Sequence, residues 1–367
     1  MYFNNHSFLL ICLLSILFYS CDTDIHDNDN DNYDRSLILS NWTDNIIIPA
    51  YNELYSSITS LRADANLFID NPSVVLLSNL SESWLHSYKL WQHVEMFDIG
   101  LAEVINYKGK MNIYPTDVDL INENILSQNY DLNNNNNFDA RGFPAIDYML
   151  HGLANTNDEI VQLYISNNAY SDYLLSLVSS MLYNTNLVID DWSSYRVDFI
   201  NSIDNTASSA LNKMTNDFIY YFEKGLRANK IGIPAGIFSN DPIPAAVEAF
   251  YKGDVSKQLA LEALKASKNF FIGKHFNSEI TNESIDSYLN FIDVSSEINL
   301  SELIVSQFVD SENQLTQLNN NFVDQITTNN MQMLLAYDAI QQLVVLFKVD
   351  MLQALSISVD YVDADGD

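Results

Sequence analysis

The chain has 367 residues, with 17 Lys and Arg against 48 Asp and Glu, a formal charge of −31. An apolar share of 47% supports a large core in one big or two medium domains, and ten glycines with seven prolines are too few for turn-rich β-sandwiches, barrels or linker-like chains. Nucleic acid is excluded as a partner because phosphate binding needs clustered Lys and Arg, whereas metal cations and basic partners remain.

The first element is an apolar run over Phe8–Tyr19 that is too short to span a bilayer and has the length of a signal-peptide core. It ends in Ser20-Cys21, and the chain then turns polar at once. A small residue before a cysteine at this point resembles the bacterial lipoprotein cleavage site, with Cys21 as the lipidated N-terminus. Phe18 and Tyr19 are bulkier than that pattern, and no Lys or Arg precedes the run. An ordinary secretory leader and a buried helix are the alternatives. The cysteines, Cys12 and Cys21, both fall here, so the body can hold neither a thiol catalyst nor a disulfide framework. Residues 22–36 are rich in Asp and Asn and read as a solvated acidic tether. No later run reaches membrane-spanning length.

From residue 37 onward the apolar spacing is helical and no strand pairs stand out, so the expected class is all-α. Val74–Tyr107 reads as one long helix or two in sequence. Thr116 is placed as the N-cap of a helix that opens with acidic residues. The run Asn133–Asn137 is expected as a loop. Tyr170, Leu174, Leu177 and Met181 form an apolar stripe, as do Ile304, Phe308, Leu315, Leu318, Phe322 and Ile326, and Met331–Leu355 continues the pattern. Gly225–Pro244, with three glycines and three prolines, is the strongest internal break. The acidic C-terminus, Asp360–Asp367, ends before a calcium loop could be completed and reads as a tail.

Three segments could carry chemistry. In the first, helical spacing puts Trp84, Tyr88, Trp91, Glu95 and Asp98 on one face, with two carboxylates that are costly to bury unless paired or bound. His86 and His93, seven apart, cannot chelate together as an i,i+4 pair would. In the second, Arg141–Gly152, Pro144 can open a helix. Asp147 and His151 are then i,i+4 neighbours, which could be a metal pair or a hydrogen-bonded one. In the third, Glu248 sits in an apolar helical turn, Pro244–Tyr251. P-loop, GxGxxG, HExxH and GxSxG motifs are all missing from the sequence.

Taken in order, Asn41–Tyr51, Trp84–Gly100, Tyr114–Asp117, Arg141–Gly152, Lys230–Gly236, Val247–Tyr251 and Lys348–Met351 resemble the imelysin family of bacterial envelope proteins, in particular its Bacteroidetes-type lipoprotein branch. The resemblance implies two helical-bundle domains around a shared groove, here divided as 37–205 and 206–360 with a tail at 361–367. It also implies a role in iron uptake. The family's peptidase label rests on a Gly-x-His-x-x-Glu motif. The matching positions read Gly142, Pro144 and Asp147, so the one His is lost and the Glu is shortened to Asp.

The leading reading is therefore a non-catalytic lipoprotein anchored to the outer membrane, facing the periplasm or the surface, whose acidic groove takes a metal ion or metal-bearing ligand. Groove residues are expected to be Glu95, Asp98, Arg141, Asp147 and Glu248, with Glu95 and Asp147 as metal ligands for iron or another divalent or trivalent metal. Its partners would be the membrane, through the lipid anchor, and envelope iron-uptake components. An envelope metallopeptidase and an adaptor that docks a protein or peptide in the groove are the alternatives.

Overall fold

The computed structural model describes residues 32–292 and 299–360; the leader with Cys21, most of the tether and the tail at 361–367 lie outside the described residues. Among the described residues the chain is helical, with one isolated antiparallel bridge, Lys274–Thr281. The residues from Asp34 onward form one compact unit.

The opening helix, α1 (residues 35–70), starts where the Asp34 side chain accepts from the Ser36 N–H. It shows why the fold is a bundle. Ile47, Tyr51, Leu54, Ile58, Leu61, Ala65 and Phe68 repeat at alternating steps of 4 and 3 and are all buried, a continuous seam for neighbouring helices. Two long helices pack along it, α2 (Val74–Trp91), capped by Ser73, and α8 (Asn168–Asn201). Between them come α3 (Leu101–Val104), α4 (Tyr107–Met111), α5 (Val118–Ser127), α6 (Gly142–Asp147, extended by a π-helical turn over Tyr148–Gly152) and α7 (Asn157–Ser166).

A second set of helices packs together beyond the Ser202–Ser209 connection, where the expected division at 205/206 falls. It comprises α9 (residues 210–235), α10 (Ser256–Phe271), α11 (Ile285–Ile292), α12 (Leu300–Thr316) and α13 (residues 322–354, kinked at Asn329). Its core is a phenylalanine cluster in which Phe347 lies 5.2 Å from Phe218, 5.1 Å from Phe222 and 5.9 Å from Phe308. Phe270 joins the two sets, stacking on Trp42 at 4.5 Å and meeting Phe97 at 5.5 Å.

Four local expectations are corrected. The helix through Trp84 stops at Trp91, and residues 92–96 are turns. The Gln92 amide folds back on the Tyr88 carbonyl, Glu95 is drawn inward, and Gly100 takes φ 64°, so tertiary partners override helical spacing. Asp117, not Thr116, caps α5 by accepting from the Leu120 N–H, while Thr116 donates to the Asp139 carbonyl. Gly225 does not break the chain. It lies inside a π-helical stretch, Tyr221–Gly232, that continues α9 until Gly236 ends it at φ 84°. The stripe from Ile304 to Ile326 is shared by α12 and α13 across a turn.

Candidate functional site

The two sets of helices meet at a buried ionic cluster. Glu95 comes from the turn after α2, Asn112 follows α4, Lys230 lies on the π-helical part of α9, and Glu248 follows the short 3-10 turn Pro244–Ala246. All four are buried. Lys230 Nζ donates to both Glu248 oxygens, at 2.8 and 2.7 Å, and stands 3.7 Å from Glu95 Oε2. The Asn112 amide bridges the two carboxylates, donating to Glu95 Oε1 and Glu248 Oε1 at 3.0 Å each. Its own oxygen accepts from Tyr88 at 2.6 Å, and Gln92 adds a longer contact to Glu248 at 3.4 Å.

Two carboxylates thus share one ammonium in a dry setting. Burial pushes Glu95 above the usual carboxylate range, and Glu248 reinforces this. Lys230, the Asn112 hydrogen bond and the more distant Lys108 pull it back. Tyr88, Tyr114 and Tyr221 surround the pair, and burial together with the glutamates holds their hydroxyls in the neutral form.

A cavity of about 250 Å³ opens beside the cluster. Its buried wall carries Glu95, Asn112 and Tyr221; half-buried Lys108, Tyr220 and Lys224 line it further out. Two of the buried groups have no hydrogen-bond partner, Glu95 Oε2 and the Tyr221 hydroxyl. A buried polar atom without a partner costs about 1–3 kcal/mol, so the junction carries an unmet polar demand at two residues that line the cavity.

The structure brings Glu95 and Glu248 together but not the other expected groove residues. Asp98 leaves the cluster for an ion pair with Lys108 at 2.8 Å. Arg141 is buried and holds backbone, donating to the Leu132 carbonyl at 2.6 Å and to the Gly109 carbonyl through Nε and Nη2. Asp147 accepts from the Tyr251 and Lys252 N–H groups at 2.9 Å each, and its Oδ1 also pairs with His151 Nδ1 at 2.9 Å. It lines a different cavity, of about 140 Å³, with Tyr114, Pro144 and Phe250. Glu248 sits in an irregular turn rather than a helical one. His93 pairs with Glu262 at 3.2 Å and His86 is exposed.

The donor set for a metal does not fit the motif Gly142–Asp147. Pro144 offers no ligand, and both Asp147 oxygens already accept N–H bonds. Among the described residues no group of three or more His, Cys, Asp or Glu side chains is placed to hold a metal ion. Glu95 and Asp147 therefore do not form the expected metal pair.

Lys230 and Asn112, the residues that make the cluster, escaped the sequence reading. Lys230 carried only a faint signal, as one of 17 cations in a chain with 48 acids. Asn112 carried none. A second buried ion pair, Glu223–Arg227 at 3.4 Å with Lys348 at 3.1 Å, was visible as an i,i+4 spacing.

The imelysin family model, a peptidase family designated M75, matches residues 47–349. No curated protein sequence matches the chain. Among solved structures, a candidate iron-regulated protein A precursor from Parabacteroides distasonis is similar over 88% of this chain and 94% of its own, at 18% identity and a TM-score of 0.70. An imelysin-like protein from Psychrobacter arcticum is similar over 88% of this chain and 96% of its own, at 19% identity and a TM-score of 0.67. At these identities the likeness is one of fold.

Proposed function

The chain belongs to the imelysin family, and on that premise we propose that it is a non-catalytic binding protein with an iron-linked role, anchored in the cell envelope through Cys21. The small cavity beside Glu95 would receive a metal-bearing ligand. The observation that carries this reading is the 250 Å³ cavity, lined by Glu95, Asn112, Tyr221 and two lysines. Its volume falls just below the ~300 Å³ lower end of ordinary small-molecule sites. Lys230, Asn112 and Gln92 already occupy the oxygens of Glu248. A bare cation would have to displace Lys230, whereas a chelated one could enter with its anionic groups toward Lys224 and Lys108. The iron link comes from the Parabacteroides relative, which is named for iron regulation. The motif positions Pro144 and Asp147 count against the metallopeptidase alternative for the reason given above.

Titration calorimetry with ferric citrate, set beside citrate, iron(II) and zinc alone, tests the reading. Saturable one-site binding of the chelate is expected, weakened about tenfold by Lys224→Ala, a change of about 1.4 kcal/mol. Binding of no iron species, or binding unchanged by Lys224→Ala, would move the adaptor reading to first place.

A further inference from the structure

The chemistry of the cavity wall narrows the ligand class, an inference that rests on the cavity being the binding site. At the ionic cluster beside the cavity the formal charges do not balance: Glu95, which lines the cavity, and Glu248 share one ammonium, Lys230, which gives both of its short contacts to Glu248. Glu95 is left with one hydrogen bond, from Asn112 to Oε1, and its Oε2 faces Lys230 at 3.7 Å without a hydrogen bond. The Tyr221 hydroxyl, also buried and unpartnered, lines the same cavity. The charges reverse toward solvent, where Lys224 and Lys108 are half-buried. Lys108 is already engaged by Asp98 and lies 5.4 Å over the Tyr220 ring. Lys224 is therefore the ammonium best placed to meet an incoming anion.

A negative interior and a positive mouth complement a small dipolar molecule with a cationic head and an anionic tail. We propose that the cavity binds an amino-carboxylate, either a free α-amino acid or the amino-acid end of a chelator. Its ammonium lies against the Glu95 carboxylate beside Tyr221, and its carboxylate lies against Lys224. An ammonium there supplies the missing counter-charge for a buried carboxylate, which a neutral or purely anionic ligand cannot do. Burial, reinforced by Glu248, already holds Glu95 above the ordinary carboxylate range.

The test uses the full chain. The free L-amino acids are screened by thermal shift. The best binder is then compared by calorimetry with its N-acetyl derivative and its methyl ester, and with ferric citrate. Saturable binding is expected for at least one free amino acid. Removing the charge of the amine by acetylation should weaken it by at least ~30-fold, the usual scale for truncating one partner of a buried charge pair. Methyl esterification, and separately Lys224→Met, should weaken it by about tenfold. Glu95→Gln should match the effect of acetylation; Lys224→Met, at a half-exposed position, keeps the test open if that variant does not fold. No binding of any free amino acid, or equal binding of the N-acetyl form, overturns the inference. Ferric citrate binding in that case would leave the wider cavity reading standing, and failure of both would remove the two together.

Discussion

Both oxygens of Asp147 are occupied by N–H groups from the segment that carries Glu248, so its charge fixes the path of residues 251 and 252. Asp147→Ala would orphan two backbone N–H groups and is expected to cost roughly 3 kcal/mol, read as a lower urea midpoint, while Asp147→Asn, which keeps one acceptor, should cost less. Asp217 is a different case. Burial, with Asp98, Asp360 and Glu103 near it and only Lys108 opposing, pushes its carboxyl up to about 8. The folded state then holds a proton that the unfolded state releases near pH ~4. The stability it contributes is complete below that value and is lost as pH rises toward about 8. Asp217→Asn should therefore raise the melting temperature at pH 8 by a few degrees or about 1 kcal/mol, and flatten the pH profile between. At this scale Glu95 and Glu248 were legible, because a carboxylate at an apolar position is costly and calls for a partner. The partners were not. Lys230 and Asn112 reach the pair from 135 and 17 positions beyond Glu95, and sequence spacing says nothing about contacts at such range.

Helices whose apolar residues recur at steps of 3 and 4 were readable from the chain, as α8, α12 and α13 illustrate. What escaped was irregular backbone set by tertiary contact. The π-helical stretch Tyr221–Gly232 absorbs Gly225 and sends Glu223, Arg227 and Lys230 into the interior, a register that a 3.6-residue period does not describe. Stretches of this kind are rare and concentrate at functional sites. The start of α6 is equally local. Gly142 takes φ 74°, and a Cβ there would stand 2.2 Å from the Met111 carbonyl oxygen, where neither backbone can give way cheaply. Gly142→Ala is expected to destabilise by about 3 kcal/mol or more, measured as a fall in urea midpoint. A loss below ~1 kcal/mol would mean that α4 and α6 slide apart freely. Gly142 is thus required here by the close approach of two backbones.

Across the whole molecule, the −31 formal charge tells little about the cavity, whose wall sets one carboxylate, Glu95, against Lys108 and Lys224. Composition could not locate a site, since the lysines that line the cavity are two among 17 Lys and Arg. If Cys21 is the anchor, Cys21→Ala should move the protein from the membrane fraction to the soluble one. Retention in membranes without lipid would sink that proposal. The cluster at the junction has a mechanical meaning as well. Glu95 and Asn112 lie before residue 202, Lys230 and Glu248 after it. Separating the two sets would leave Lys230 and Glu248 paired on one face but strip the buried Glu95 of its nearest ammonium and Asn112 of one of its two carboxylates. The ionic cluster therefore acts as a rivet that denies the two sets independent lives: neither should melt ahead of the other. Heating should produce one calorimetric peak, with the enthalpy inferred from its sharpness equal to the enthalpy measured from its area.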